Sequence, residues 1–170
     1  MTSKKKNLSI SEGGEIPDAT GMKFGVVVSE WNHDITDALF SGAVGALQQY
    51  GANPDHIIKK IVPGSFELTL GAQWLAEHAA VDAIICLGCV VQGETRHFDF
   101  ICDAVSHGIT QLNMRFSKPV IFGVLTTQNM AQAKARAGGK HGNKGVEAAV
   151  TAIKMVALKK SFSKKKAIGF

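Results

Sequence analysis

The chain has 170 residues, of which 45% are hydrophobic and 19% are charged, so it can form one globular domain with a sizeable buried core. Its formal net charge is +5. Eight of the 19 Lys and Arg residues, but none of the 14 Asp and Glu residues, lie in the end segments 1–6 and 159–170. The rest of the chain is therefore net negative, which argues against a nucleic-acid-binding domain.

Other bulk features argue against membrane and secreted proteins. No stretch approaches the roughly 20 apolar residues of a membrane span, and no apolar run follows the first lysines as it does in a signal peptide. The three cysteines are an odd number and do not indicate a disulfide framework. We therefore expect a reduced, cytoplasmic location.

Predicted strands and helices alternate along the chain. Residues 1–21 are polar and broken by glycine and proline, so we expect a flexible arm outside the core. Apolar runs and apolar periodicity then predict, in order, strand 23–29, helix 34–50, strand 57–62, helix 66–80, strand 83–91, helix 98–116, strand 119–126 and helices 129–137 and 146–161. This order predicts an α/β protein, a three-layer α/β/α sandwich with a four-stranded parallel sheet and right-handed crossovers.

Ligands of such sheets bind beyond the carboxyl ends of the strands. The segment Gly93-Glu94-Thr95-Arg96-His97 lies at that edge, between the third strand and the next helix. Gly93 lets a ligand approach the backbone, and the N-terminus of the helix favours an anion. Thr95 can cap the helix, and His97 can transfer protons near neutral pH. Residue chemistry alone equally allows a capping loop with a surface histidine.

The glycine-rich, basic segment 138–145 fails the Walker pattern, because its Gly-Lys pairs are not followed by Ser or Thr and it does not follow a strand. A flexible basic loop before the last helix is the plainer interpretation. Just upstream, Arg136 suits either bidentate phosphate binding or a solvated position at a helix end.

Cys86 and Cys89 form a C-x-x-C pair, which raises the rival hypothesis of a thiol redox or metal protein. A redox pair needs its first cysteine at a helix N-terminus, whereas these two lie in a predicted strand and face opposite sides of it. No second cysteine pair completes a zinc site, so we expect no metal.

Among aromatic residues, Trp31 can stack on a flat heterocycle or pack at the rim, and Phe122 is predicted to pack in the core.

Motifs spread over residues 23–162 resemble the lumazine synthase family in their order and spacing. They are Trp31-Asn32; Val62-Pro63-Gly64-Ser65-Phe66-Glu67; Leu87-Gly88 with Gly93-Glu94-Thr95 and His97-Phe98; Phe122-Gly123-Val124-Leu125-Thr126; and Asn143-Lys144-Gly145 with Glu147-Ala148-Ala149. No single motif is decisive, but five collinear motifs are specific. The resemblance implies a flavodoxin-like domain over residues 22–162, between the arm at 1–21 and a basic tail at 163–170.

The resemblance also implies an activity. Lumazine synthases condense 5-amino-6-(D-ribitylamino)uracil with 3,4-dihydroxy-2-butanone 4-phosphate to 6,7-dimethyl-8-ribityllumazine, phosphate and water, without a metal or organic cofactor. By position, His97 is the implied proton donor and acceptor. Residues implied to bind the pyrimidine and its ribityl chain are Trp31, Ser65, Phe66, Glu67, Cys89, Val90, Val91, Phe122 and Lys144. Those implied to bind phosphate are Gly93, Glu94, Thr95 and Arg136.

Two departures from the family pattern are Gln92, where Arg or Lys is common, and Trp31, where Phe is common.

The resemblance further implies a homo-oligomer of at least five subunits with shared sites, and an association with riboflavin synthase. The short segment 138–145 favours a 60-subunit shell, whereas Pro17 in the arm counts against it because proline lacks an N–H donor. The alternative function is a non-catalytic riboflavin-binding or shell-forming relative, which loss of His97 or Arg136 would have favoured.

Overall fold

The computed structural model describes residues 14–166, which form one layered α/β unit. Its main elements are β1 (Phe24–Ser29), α1 (His33–Gln49), β2 (Ile57–Val62), α2 (Leu68–His78), β3 (Ala83–Val91), α3 (His97–Phe116), β4 (Val120–Thr127), α4 (Met130–Arg136), β5 (Ala137–Gly139), β6 (Gly142–Asn143) and α5 (Lys144–Lys166). The predicted strands at 57–62 and 83–91 are confirmed at the same residues. No helix within this part of the chain is long and apolar enough to cross a membrane.

The four main strands form one parallel sheet in the order β2-β1-β3-β4. Helices α1, α4 and α5 cover one face, where Phe24, Leu39 and Ile153 are fully buried. Helices α2 and α3 cover the other face and contribute residues such as Leu68 and Ile109 to a second core cluster. Complete burial of one such side chain stabilises the fold by about 1.5–3 kcal/mol. The predicted three-layer sandwich is therefore confirmed.

Strand β2 is an edge of this sheet, and its middle residues are exposed. Ile61 is 59% exposed and Ile58 is 36% exposed, with Lys59 and Lys60 between them. Within residues 14–166, no strand pairs with the outer side of β2.

The cysteines of β3 lie on opposite faces of the sheet, as their spacing predicts. Cys86 belongs to the core cluster under α2 and α3, and Cys89 belongs to the cluster under α1 and α5. Burial raises the pKa of Cys86 to about 12 and that of Cys89 to about 11. Two buried thiols that face apart and stay protonated cannot act as a redox pair.

The predicted arm is wrong for its last residues. Ala19 is fully buried, and its backbone N–H donates to the carbonyl of Tyr50 at 2.7 Å. Ile16 packs against the same core cluster. Because Gly51 follows α1 in a left-handed conformation, the chain turns there and the carbonyl of Tyr50 becomes available. Residues 1–13 of the predicted arm lie outside the described residues.

The predicted loop at 138–145 is also wrong in part, because it contains the antiparallel hairpin β5–β6. Gly138 and Gly142 adopt positive φ angles of 108° and 86°, which permit the tight reversal. Helix α5 then begins at Lys144, earlier than predicted, because the Asn143 side chain accepts the backbone N–H of Gly145 at 2.8 Å. The helix continues to Lys166, and residues 167–170 of the predicted tail lie outside the described residues.

Candidate active site

Two hollows open at the carboxyl edge of the sheet, where the topology predicts a ligand site. The first, here called the β3 hollow, has a volume of about 580 Å³. It is lined by Trp31, Asn32, Gly64, Ser65, Phe66, Glu67, Cys89, Val90, Val91, His97 and Ile101. The second, here called the β4 hollow, has a volume of about 700 Å³ and is lined on its polar side by Asn129, Arg136, Lys140, His141 and Lys144, with Phe122 among its apolar residues.

The wall of the β3 hollow that follows β1 is held by backbone and side-chain hydrogen bonds. The Trp31 N–H donates to the carbonyl of Pro63, which joins the ends of β1 and β2. Asn32 has a φ of 59° and donates from Nδ2 to the carbonyl of Cys89 at 2.9 Å. Asparagine tolerates this left-handed conformation better than most residues. The indole of Trp31 is 70% exposed and therefore presents an aromatic surface to a ligand.

A neighbouring wall is the turn before α2. The predicted helix began at residue 66, but α2 begins at Leu68, which leaves Ser65, Phe66 and Glu67 in the turn. Ser65 is only 6% exposed, and the Glu67 carboxylate accepts the N–H of Gly64 at 3.0 Å. This turn therefore offers backbone N–H groups, a hydroxyl and a carboxylate, which are the groups that bind sugar hydroxyls.

The loop between β3 and α3 brings His97 to the hollow but leaves its other predicted residues exposed. His97 is the first residue of α3 and lines the β3 hollow. Gly93, Glu94 and Thr95 are exposed and line neither hollow. The cap of α3 is Arg96 rather than Thr95, although the Thr95 hydroxyl accepts the His97 N–H at 3.4 Å. This short loop gives His97 access to a ligand in the hollow.

Phe122 contributes to the β4 hollow as well as to the core. It is half-buried, packs against the cluster under α2 and α3, and lines the hollow. The prediction that Phe122 packs in the core was therefore incomplete. The position of a residue within a strand does not show whether other residues cover its side chain completely.

The sequence indicated no role for Glu147 in the site, yet its carboxylate joins two cations of the β4 hollow, Arg136 and Lys144. It pairs with the Arg136 guanidinium at 2.8 Å and with the Lys144 ammonium at 3.2 Å. Burial raises the pKa of Glu147, but the hydrogen bonds and charges of Arg136 and Lys144 outweigh burial and hold it below its ordinary value. The three-residue spacing between Lys144 and Glu147 on a helix could have predicted their ion pair from the sequence. The contact between Glu147 and Arg136 could not be predicted in this way, because it depends on the β5–β6 hairpin.

Apart from Gly93, Glu94 and Thr95, which line neither hollow, the residues singled out in the sequence are divided between the two hollows. Most of the predicted pyrimidine and ribityl residues lie with His97 in the β3 hollow, while Phe122, Arg136 and Lys144 lie in the β4 hollow. Among residues 14–166, no group of three or more His, Cys, Asp or Glu residues could hold a metal ion.

Comparison with known proteins gives a consistent family. The 6,7-dimethyl-8-ribityllumazine synthase family matches residues 21–160. A protein of that name from Cytophaga hutchinsonii is 64% identical over 157 residues, which cover 92% of this chain and 98% of that protein. Proteins of the same name from Parabacteroides distasonis and Porphyromonas gingivalis are 54% and 52% identical, over 92% and 94% of this chain and 98% and 99% of those proteins.

The chain belongs to the lumazine synthase family. The resemblance drawn from its motifs is thereby confirmed. The parallel sheet, with helices on both faces, agrees with the flavodoxin-like fold which that resemblance implied. In this lumazine synthase family member, the family match covers both hollows and every residue that lines them.

Proposed function

We propose that this chain condenses 5-amino-6-(D-ribitylamino)uracil with 3,4-dihydroxy-2-butanone 4-phosphate to give 6,7-dimethyl-8-ribityllumazine, phosphate and water. The observation that carries the proposal is the β3 hollow of a lumazine synthase family member, in which an exposed indole, a polar turn and a histidine face one space. The reaction uses no metal or organic cofactor.

The pyrimidine occupies the β3 hollow. Trp31 stacks on its ring, and the backbone of Cys89, Val90 and Val91 provides hydrogen-bonding groups at the ring edge. The ribityl chain lies along the turn before α2, where it meets Ser65, Phe66 and Glu67. The size of the hollow, about 580 Å³, supports this assignment because pockets for small molecules are typically about 300–1,000 Å³.

His97 moves the protons of the reaction. Imine formation, phosphate elimination and ring closure each require a proton to be given or taken near the reacting atoms. The position of His97 supports this role, because His97 begins α3 and lines the same hollow as Trp31. Imidazole can act in either direction near neutral pH.

The phosphate lies between the exposed Gly93-Glu94-Thr95 backbone of one subunit and Arg136 of its neighbour. The neighbour also contributes Phe122 and Lys144 to the pyrimidine. This arrangement is supported by the separation, within one chain, of Phe122, Arg136 and Lys144 in the β4 hollow from His97 in the β3 hollow. A shared site makes an oligomer necessary for activity, and a ring of at least five subunits with heterologous interfaces provides one such site at each interface.

Other parts of the proposal concern assembly and location. The short 138–145 segment favours 60-subunit shells of these pentamers, and Pro17 is compatible with them if the arm pairs on one side of it. We include association with riboflavin synthase, which uses the lumazine product, and a cytoplasmic location for the protein.

The activity is tested by mixing purified protein with both substrates while recording lumazine fluorescence and released phosphate. Equal amounts of lumazine and phosphate, formed faster than without protein, support the proposal. Riboflavin binding without turnover would instead identify a non-catalytic relative.

The shared site is tested by mixing two impaired variants, His97→Ala and Arg136→Ala, during assembly. If neighbours share each site, about a quarter of the interfaces in randomly mixed rings combine an intact His97 with an intact Arg136. Activity then returns on mixing. Absence of any recovery in confirmed mixed rings would refute sharing of the site.

Particle mass separates the assembly states. Light scattering should give a multiple of at least five of the 18.1 kDa subunit mass. A particle near the subunit mass would contradict the shared site, and a particle of five subunits would contradict only the shell.

A further inference from the structure

The Glu147 carboxylate contacts Arg136 through both of its oxygens. Arg136 Nη1 lies 2.8 Å from Oε1, and Nη2 donates to Oε2 at 3.0 Å. Lys144 Nζ also donates to Oε2, at 3.2 Å. A two-point contact between a planar guanidinium and a carboxylate fixes orientation as well as distance.

A backbone contact completes the support of the guanidinium. Arg136 Nη1 donates to the carbonyl of His141 at 2.7 Å, and His141 lies in the turn between β5 and β6. These contacts use three of the five N–H donors of an arginine, one on Nη2 and two on Nη1. Among the contacts of residues 14–166, the Nε–H and one Nη2–H remain, and two donors suffice for bidentate binding of a phosphate.

The three charged side chains come from different parts of the chain. Arg136 ends α4, while Lys144 and Glu147 lie in the first turn of α5, with the hairpin between them. The Arg136 and Glu147 side chains are only 19% and 20% exposed. Contacts at this depth are screened less by solvent than surface ion pairs, and the lowered pKa keeps Glu147 charged at neutral pH.

We propose that Glu147 is a positioning residue that acts through Arg136 and directs its two remaining N–H donors toward the phosphate of the butanone substrate. This inference rests on the proposed function and assigns a role to a residue that does not itself touch the substrate. Glu147 also separates Arg136 from Lys144, so that the Lys144 ammonium stays beside the heterocycle instead of competing for the phosphate.

Two effects of removing the carboxylate oppose each other, and their signs make the proposal testable. Loss of a negative charge by itself strengthens the binding of an anion in the β4 hollow. Loss of the two-point contact frees the guanidinium and weakens that binding. Positioning predicts that the second effect is larger, because bidentate recognition depends on a fixed orientation.

The central variant is Glu147→Gln, which keeps the shape of the side chain and removes its charge. We expect the KM for the phosphorylated substrate to rise about tenfold or more, while the KM for the pyrimidine changes less than about twofold. Equal rises in both KM values, no change in either, or a fall in the first would each overturn the proposal.

The matched control is Glu77→Gln. The Glu77 side chain is 29% exposed, lies 3.9 Å from the guanidinium of Arg115, and lines neither hollow. This control should leave both KM values unchanged. Glu147→Asp is the second test variant, for use if Glu147→Gln does not assemble. It keeps the charge but is too short for the two-point contact, so it should also raise the KM for the phosphorylated substrate much more than the KM for the pyrimidine.

A double-mutant cycle tests the route through Arg136. In an Arg136→Lys background the two-point contact is absent, so adding Glu147→Gln should change the KM for the phosphorylated substrate less than about twofold. A tenfold further rise would show that Glu147 acts independently of Arg136 and would overturn the proposal.

Binding of inorganic phosphate, measured by calorimetry, separates this inference from the proposed function because it needs no turnover. Glu147→Gln should weaken phosphate binding to the assembled protein about tenfold. If the unaltered protein makes no lumazine but shows this loss, the proposed function fails and the positioning role stands. If it makes lumazine and phosphate binding is unaltered in the variant, only the positioning role fails.

Discussion

Gly88 of β3 packs against Ser65, which lines the β3 hollow, and Gly88→Ala tests how tightly this floor under Ser65 is packed. A methyl group at this position would lie 2.7 Å from Ser65 Oγ and 2.8 Å from Leu68 Cδ1, both shorter than normal contacts. Ser65 and Leu68 are themselves buried, so they cannot move into solvent without opening the turn before α2. The substitution should therefore strain the part of the wall that carries Ser65.

The cost of such overpacking is about 1–3 kcal/mol in the free energy of unfolding. With a urea dependence of about 2 kcal/mol per molar, the unfolding midpoint should fall by about 0.5–1.5 M. Protein concentration must be fixed, because self-association of any protein makes its apparent stability depend on concentration. If Ser65 binds the ribityl chain, the KM for the pyrimidine should rise as well.

Gly45→Ala is the matched control. Gly45 lies in the exposed part of α1, where a methyl group meets no atom within 4 Å. Alanine is favoured over glycine in a helix by about 1 kcal/mol, so this variant should be slightly more stable. An unfolding midpoint for Gly88→Ala at or above that of the unaltered protein would refute the reasoning about the floor.

Other predictions concern proton transfer, the thiols and acid stability. His97→Ala should lower turnover at saturating substrates by about a hundredfold, the low end for general acid–base catalysis, without changing particle mass; unaltered turnover would remove His97 from the mechanism. A thiol reagent should modify Cys102 faster than Cys86 and Cys89 at neutral pH: burial and the Asp99 charge raise the pKa of the partly buried Cys102, but Cys86 and Cys89 are buried, with pKa values raised to about 12 and about 11; modification of Cys86 or Cys89 as fast as that of Cys102 in the folded protein would contradict this. The pKa of Glu147 is lowered on folding, so its stabilising contribution is present above the pKa of an unfolded carboxyl, about 4.3, and is lost as the pH falls through the lower folded value. The stability difference between the unaltered protein and Glu147→Gln should accordingly shrink in acid, and urea unfolding at neutral and acidic pH measures it.

Periodicity was sufficient to predict the sheet and its helices because their residues are buried in regular patterns. On α1, Ile35, Leu39, Ala43 and Leu47 form the buried stripe that their spacing predicts. Strand β3 is buried almost throughout and reads as a continuous apolar run.

Features that depend on long-range packing could not be predicted in this way. Ala19 gives no periodic signal, and its burial depends on the turn after α1. The β5–β6 hairpin depends on glycines with positive φ angles. A glycine-rich loop without strands has the same sequence signal, so the sequence does not distinguish the two. The contact between Arg136 and Glu147 exists because that hairpin reverses the chain between two helices.

The exposed edge of β2 has a consequence for contacts between copies of the chain. A free strand edge with Ile58 and Ile61 on it offers unpaired backbone groups and apolar side chains to any other extended chain. Lys59 and Lys60 lie in the middle of that edge; Lys59 pairs with Asp37 at 3.7 Å, and the positive charge of Lys60 opposes pairing with a second copy of the same strand. High salt, which screens charge at this edge, should therefore favour pairing of two copies of the chain through β2.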